Sequence, residues 1–312
     1  MPSLVVARRP AQGALATAIA IGSFDGVHRG HAALLERVRR EAREHGLTAA
    51  ALTFEPLPRE FFAPASAPPR LTTLRERACA IGSLGIEVLF AQRFDAAFSA
   101  LSPEAFARRL REEFGARRVL VGEDFRYGAG RRGDVASLAA AGRSLGFEVV
   151  VLARVDDGAD RISSTRVRSA LAAGDFALAQ RLLGRPYAIT GRVVHGAKRG
   201  RALGFPTANV RLGRARAPLN GVFAVRCFGA ATRGLEGVAS LGINPAVTDG
   251  GRATLEAFLF DFSGDLYGRR LTIEFHSKLR DEADFASLDE LAAQIRRDCE
   301  AARGYFGAAG VR

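Results

Sequence analysis

The run 18–31, AIAIGSFDGVHRGH, constrains this chain more than any other stretch. Apolar residues lead into Gly22, and Gly26 and Gly30 follow at intervals of four. A short apolar run ending in glycine reads as a buried strand that enters a tight turn. Residues 32–38, AALLERV, then take up helical spacing. A helix N-terminus at the carboxyl end of a strand presents free N–H groups and a partial positive charge, which suits phosphate. His28 and His31 are three apart, so they share one face of the first helical turn and can donate to one anion. A metal pair or two surface histidines also fits this spacing. The strand–turn–helix setting favours phosphate.

The same alternation repeats downstream. Strands are expected at 18–21, 49–54, 87–90, 118–121 and 148–152, with helices starting near Ala32, Leu74, Pro103, Val135 and Thr165. Ser102 before Pro103 is an N-cap followed by proline at the first helical position. Such alternation implies an open parallel sheet covered on both faces, with ligands at the carboxyl ends of its strands. A helix over 176–183 runs into Gly184-Arg185-Pro186, and there the pattern changes. Six strands are expected at 187–194, 206–210, 221–227, 235–241, 254–260 and 270–275, then a helix over 287–306. Short strands joined by glycine turns, with one late helix, point to a small antiparallel barrel. The fold class is therefore α/β followed by β, with domains 1–184 and 185–312.

Several stretches carry chemistry. Glu55-Pro56-Leu57-Pro58-Arg59-Glu60-Phe61-Phe62 follows a strand end; taken alone it reads first as a proline-rich connection. Residues 122–134, GEDFRYGAGRRGD, form a glycine-rich loop with three arginines and two aromatics. Arginine binds phosphate through a planar fork, and rings stack on planar groups. A solvated loop fits it equally. Ile162-Ser163-Ser164-Thr165-Arg166 precedes a helix, and by itself is N-cap chemistry. In the second half, residues 191–209, GRVVHGAKRGRALGFPTAN, form a basic, glycine-rich run that could cradle phosphate through backbone N–H groups. A flexible hairpin tip fits as well, and no Walker A pattern is present. Glu256 lies in an otherwise apolar strand, where a buried carboxylate needs a reason and an outward-facing one does not.

Bulk composition narrows the partners. The chain has 312 residues and a net charge of +12, and 43 of its 45 basic residues are arginine. Basic residues outnumber acidic ones by 26 to 20 in 1–184 and by 19 to 13 in 185–312. Charge spread this evenly forms no basic tail, so sites for anionic nucleotides explain it better than nucleic acid does. Cys79, Cys227 and Cys299 are odd in number and far apart, which implies neither a disulfide framework nor a zinc site and fits a reducing cytoplasm. No signal peptide is expected ahead of the first strand, and no apolar run approaches the roughly 20 residues of a membrane helix.

The run Gly-Ser-Phe-Asp-Gly-Val-His-Arg-Gly-His resembles the nucleotide-binding motif of the nucleotidylyltransferase superfamily. In its longer form it resembles the bacterial bifunctional riboflavin kinase/FAD synthetases. Five motifs, between about Ile19 and Asp298, follow that family's order. The resemblance implies a Rossmann-like nucleotidylyltransferase domain that adenylylates FMN to FAD. A C-terminal riboflavin kinase barrel would make the FMN from riboflavin, with ATP as co-substrate and Mg²⁺ as cofactor. It further implies that Gly22, Phe24, His28, His31, Ser164, Thr165 and Arg166 serve the triphosphate, with the two histidines catalytic. Phe62, Asp124, Phe125 and Arg280 would meet flavin; Gly196, Lys198, Gly204, Thr207 and Asn209 would meet the kinase's ATP. Thr207 and Asn209 would also hold the metal, and Glu256 would act on the ribityl hydroxyl. The chain departs from the family pattern at Leu57 and Phe258, where histidines are usual, and at Asn244-Pro245-Ala246. The enzyme is expected in the cytoplasm, as a monomer or transient homo-oligomer, without nucleic acid or membrane partners. A kinase with a weakened adenylyltransferase domain, and a flavin- or RNA-binding regulator, are the alternatives.

Overall fold

A computed structural model describes residues 4–7, 15–158, 160–196, 204–229, 232–243 and 253–309. The chain folds as two compact units. One takes the chain up to Pro68 together with Leu74–Ser163; the other takes Pro69–Thr73 together with everything from Ser164.

The first unit is a six-stranded parallel sheet. Its strands are β1 (Val5–Ala7), β2 (Thr17–Ile21), β3 (Thr48–Glu55), β4 (Val88–Arg93), β5 (Ala116–Gly122) and β6 (Glu148–Leu152), in the order β1-β4-β3-β2-β5-β6. Every residue of β2 is buried, as a strand covered on both faces must be. Its side chains alternate between two cores. Ile19 and Ile21 join Leu52, Phe90, Phe106, Leu110, Val119 and Leu138 on one face. Ala18 and Ala20 join Leu35, Val38, Ala51, Ile81 and Leu89 on the other. The helices are α1 (Arg29–Glu44), α2 (Pro58–Phe62), α3 (Leu74–Ser83), α4 (Ala96–Ser99), α5 (Pro103–Glu112) and α6 (Val135–Leu145), and a small hairpin pairs β7 (Asp156–Asp157) with β8 (Asp160–Arg161). Ser102 caps α5 by accepting from the Ala105 N–H at 3.2 Å.

From β2 the chain moves outward through β3 to β4, then returns to build β5 and β6 on the other side. The reversal lies between β2 and β5, and a crevice opens at the carboxyl ends of strands flanking such a switch point. The sequence pattern does not reveal β1, α2 or α4. Each has five residues or fewer, too few for a periodic pattern.

The second unit carries α7 (Ser164–Ala172), α8 (Phe176–Leu183), a closed barrel and α9 (Leu288–Ala309). The barrel strands are β9 (Tyr187–Val194), β10 (Thr207–Arg211), β11 (Gly221–Gly229), β12 (Thr232–Ile243), β13 (Ala253–Leu259) and β14 (Arg270–Arg280). They close antiparallel in the order β10-β13-β12-β11-β14-β9. Period-two alternation sends Ile189, Val193, Phe223, Val225, Leu255, Ala257 and Phe275 inward. Val222, Ala224 and Val238 face out and are covered by Ala302 and Phe306 of α9. α8 sets Phe176 against Phe223, with ring centroids 5.7 Å apart. The segment Pro69–Thr73 is strapped to this unit. The Leu71 carbonyl accepts from the Tyr187 hydroxyl at 3.0 Å and from Arg214 at 2.8 Å, and the Pro69 carbonyl accepts from Arg168 at 2.6 Å.

Candidate active sites

The first candidate site grows from the turn after β2. The Gly22 N–H donates to the Leu52 carbonyl at 3.0 Å, extending the β2–β3 pairing one residue past the strand. Phe24 and Val27 then take positive φ values of 48° and 44°, uncommon for residues with a Cβ, and both are buried. His28 is the N-cap of α1, and its Nδ1 accepts from the His31 N–H at 3.3 Å. With Nδ1 accepting, the neutral ring carries its proton on Nε2 and is a donor there. The two imidazoles stack, with centroids 3.7 Å apart, and Phe24 meets His31 edge-on at 5.2 Å. Gly30 makes room for this pair, since a Cβ there would lie 3.2 Å from the His28 ring. The buried Nδ1 of His31 has no hydrogen-bond partner among the described residues. Burial first, then His28, Arg77 and Arg161, hold the His31 imidazole well below the usual histidine range. The site therefore combines a stacked pair of imidazoles, that of His31 held neutral, with nearby fixed cations, an arrangement that favours an arriving polyanion.

The flanking loops of this unit bring further predicted residues. Phe62 ends α2 and is 67% exposed; its ring meets Phe61 at 5.1 Å and Phe94 at 5.6 Å, which leaves it free to stack on a planar ligand. Leu57 is buried as the residue that caps α2, and its N–H donates to Glu60 at 3.0 Å. Asp124 follows β5 and accepts from Arg161 at 2.6 Å; that bond holds its carboxyl below the usual range. Phe125 lies parallel to Tyr127 at 5.7 Å and packs against the core, so it builds the loop as well as lining it. Ser164, Thr165 and Arg166 open α7 in the second unit, with Thr165 exposed.

The second candidate site lies on the outer face of the barrel. Thr207 and Asn209 alternate with buried Ala208 and Val210 on β10, and Glu256 alternates with buried Leu255 and Ala257 on β13. Register sets Asn209 opposite Glu256, and Glu256 opposite Ser240 of β12. Residues directly opposite share a face, so an amide, a carboxylate and a hydroxyl stand in one row. The Thr207 hydroxyl donates to Glu256 Oε2 at 3.1 Å. Gly196, just past β9, brings its backbone so close that a Cβ would lie 2.3 Å from Cγ of Asn209. Gly204 has a φ of 83° with open space around it. Lys198 and the run Asn244-Pro245-Ala246 lie outside the described residues. Phe258, opposite Thr207, meets the Phe205 ring edge-on at 5.4 Å. Arg280 is engaged elsewhere: its guanidinium grips the buried Asp298 of α9 at 2.9–3.1 Å, and Gln294 donates to the same carboxylate at 2.8 Å. Oxygen donors grouped this way suit a hard divalent cation that bridges phosphates.

Three features of the sites lie outside the sequence motifs. Arg77 is buried beneath the β2 turn. Arg161 pairs with Asp124, and its place beside Ile162-Ser163 is the one signal that could have found it. Glu282 accepts from Ser240 at 3.3 Å, adding a second carboxylate beside the outer row.

Comparison with known proteins follows the same division. A family model described as FAD synthetase matches residues 12–166, and one described as riboflavin kinase matches residues 183–306. The bifunctional riboflavin kinase/FMN adenylyltransferase of Escherichia coli K12 is 46% identical over 307 residues, 97% of this chain and 96% of its own length. The protein of the same description from Pseudomonas fluorescens is 48% identical over 284 residues, 91% of each chain. Among solved structures, one described as a macrolide-efflux protein from Streptococcus pneumoniae superposes with a TM-score of 0.79 at 29% identity, covering 96% of this chain and 98% of that one. No helix among the described residues is long and apolar enough to cross a membrane.

Proposed function

This chain belongs to the bifunctional riboflavin kinase/FMN adenylyltransferase family, and from that premise we propose which side chains carry each of its two reactions. It phosphorylates riboflavin to FMN with ATP, then joins AMP from a second ATP to FMN, giving FAD and pyrophosphate. We place the functional border at 184/185, so that α7 and α8 serve the adenylyltransferase.

In the kinase, Glu256 takes the proton from the terminal ribityl hydroxyl as that oxygen attacks the γ-phosphorus and ADP leaves. The observation that carries this assignment is the Thr207–Glu256 hydrogen bond at 3.1 Å, with Asn209 opposite Glu256 in register. The Thr207 hydroxyl and the Asn209 amide oxygen fit Mg²⁺, which binds through oxygen. When bound there, the ion would neutralise phosphate charge. Gly196, Lys198 and Gly204 lend backbone and charge to the nucleotide, and Arg280 orders the end of β14 beside the flavin.

In the adenylyltransferase, the FMN phosphate attacks the α-phosphorus of ATP and pyrophosphate departs. No covalent enzyme intermediate is required; positioning and charge stabilisation supply the rate. His28 and His31 donate to the transferring phosphate, and Gly22 and Phe24 shape the turn that presents them. Ser164, Thr165 and Arg166 hold the triphosphate, a role that rests on the family's second signature. Phe62, Asp124 and Phe125 receive the flavin. The enzyme works in the cytoplasm, where its three free thiols stay reduced. It acts as a monomer or transient homo-oligomer and needs neither nucleic acid nor membrane.

The test is a time course with riboflavin, ATP and Mg²⁺, the flavins being separated by chromatography. FMN is expected first and FAD second. Glu256→Gln is expected to lower phosphorylation by about 10²–10⁴-fold while still converting supplied FMN to FAD. Phosphorylation by that variant at the wild-type rate would refute the assigned base.

A further inference from the structure

The β2 turn is gripped from below by a side chain outside every motif. Arg77 lies on α3, one residue before Ala78 and four before Ile81, and is 0% exposed. A buried guanidinium is costly unless its donors are met. Nη1 donates to the Ser23 carbonyl at 2.8 Å, to Thr53 Oγ1 at 2.8 Å and, more weakly, to the Phe54 carbonyl at 3.5 Å. Nη2 reaches the Glu55 carboxylate at 3.4 Å. The Thr53 hydroxyl itself donates to the Ser23 carbonyl at 3.1 Å. Two donors thus converge on one carbonyl, and it belongs to the residue between Gly22 and Phe24.

That carbonyl is a sensitive place to hold. The next residue, Phe24, has a φ of 48°, a backbone state that persists only where its surroundings over-determine it. The Phe24 ring meets His31 at 5.2 Å, and His31 stacks on His28. A slack Ser23 carbonyl therefore passes its slack to Phe24 and to both imidazoles. Charge adds a second route. The fixed cations acting on His31 are Arg77 of α3 and Arg161 of β8, and the stacked His28 at the start of α1 acts in the same direction. Arg161 is paired with Asp124, and Arg77 with Glu55.

We propose that Arg77 is a positioning residue for adenylyl transfer: with Thr53 it locks the Ser23 carbonyl and so holds Phe24, His28 and His31 in register with the substrate. This rests on the histidine roles given above.

The test uses the full chain and three variants, Arg77→Met, Arg77→Lys and Thr53→Val. FMN adenylylation and riboflavin phosphorylation are measured separately, from about pH 5.5 to about pH 9. Arg77→Met is expected to lower kcat for adenylylation about 100-fold, the scale of a roughly 1 Å misplacement, with phosphorylation unchanged. Its acid limb should move to higher pH, because a cation acting on His31 is gone. Arg77→Lys keeps the charge but not the fork; it should recover about tenfold in kcat and leave the limb in place. Thr53→Val should lose about tenfold in kcat with an unshifted limb. Adenylylation within about threefold of wild type in Arg77→Met would overturn the proposal. So would equal loss of both reactions with a lowered unfolding temperature in Arg77→Met and Thr53→Val alike, since that marks a residue of stability only. Wild-type protein that fails to turn FMN into FAD would instead refute the reading of the site itself.

Discussion

Replacing Gly196 by alanine is a sharp test of the kinase site, because one methyl group falls on one amide. The new Cβ would lie 2.3 Å from Cγ of Asn209 and 2.4 Å from both its Nδ2 and its Oδ1. The Asn209 side chain must retreat by about 1 Å to reach ordinary van der Waals contact. Gly196 has no positive φ, so alanine brings no backbone strain of its own. The perturbation is confined to the amide proposed to hold the metal and the phosphates. A displacement of about 1 Å in a positioning group costs on the order of 100-fold in rate, or about 2.7 kcal/mol of barrier. The folded state should hardly notice, with a shift in unfolding temperature of roughly 2–4 °C at most. The assay is the initial rate of FMN formation from riboflavin, with FAD formation from supplied FMN as control. Gly196→Ala should lose the first rate and keep the second. Phosphorylation within about threefold of wild type would refute the reasoning, because Asn209 could then leave its place without consequence.

Two further outcomes follow from the first unit. His31 is held neutral in the folded chain, so the unfolded chain binds the extra proton more readily; the folded form should therefore lose stability as pH falls below about 6.5, by at most about 1.4 kcal/mol per pH unit. Chemical denaturation at several pH values checks this, and a His31→Gln variant with the same acid slope would exclude His31 as its source. Phe62→Ala should raise KM for FMN without changing riboflavin phosphorylation or the unfolding temperature, because the exposed ring gives the fold little. Steady-state kinetics in FMN would show the opposite if flavin stacks elsewhere.

What is legible in the sequence is local. The β2–turn–α1 unit lies within one continuous run, so its apolar strand, glycines and paired histidines can be read together. The six barrel strands show through alternation and glycine turns, and alternation also allows Glu256 to face outward. Alternation does not name a partner strand, however. Only the register shows that Glu256 stands between Asn209 and Ser240. Arg77 is illegible for the same reason. Its partners Ser23 and Thr53 are 54 and 24 residues away, and it sits among apolar neighbours of a helix where the pattern shows only an interrupted stripe. Arg280 is visible as a charge, but its grip on Asp298 depends on how α9 returns over the barrel.

The strap Pro69–Thr73 bears on any attempt to study the two halves apart. A cut at 163/164 or at 184/185 looks clean along the chain, yet it severs five residues that the barrel side treats as its own. Tyr187 and Arg214 would both lose the Leu71 carbonyl, and the side without the strap would be missing a piece of its wall. Weak kinase activity in such a fragment would then report a torn seam rather than dependence on its neighbour. A faithful dissection would return residues 69–73 to the fragment as a spliced or separately added peptide.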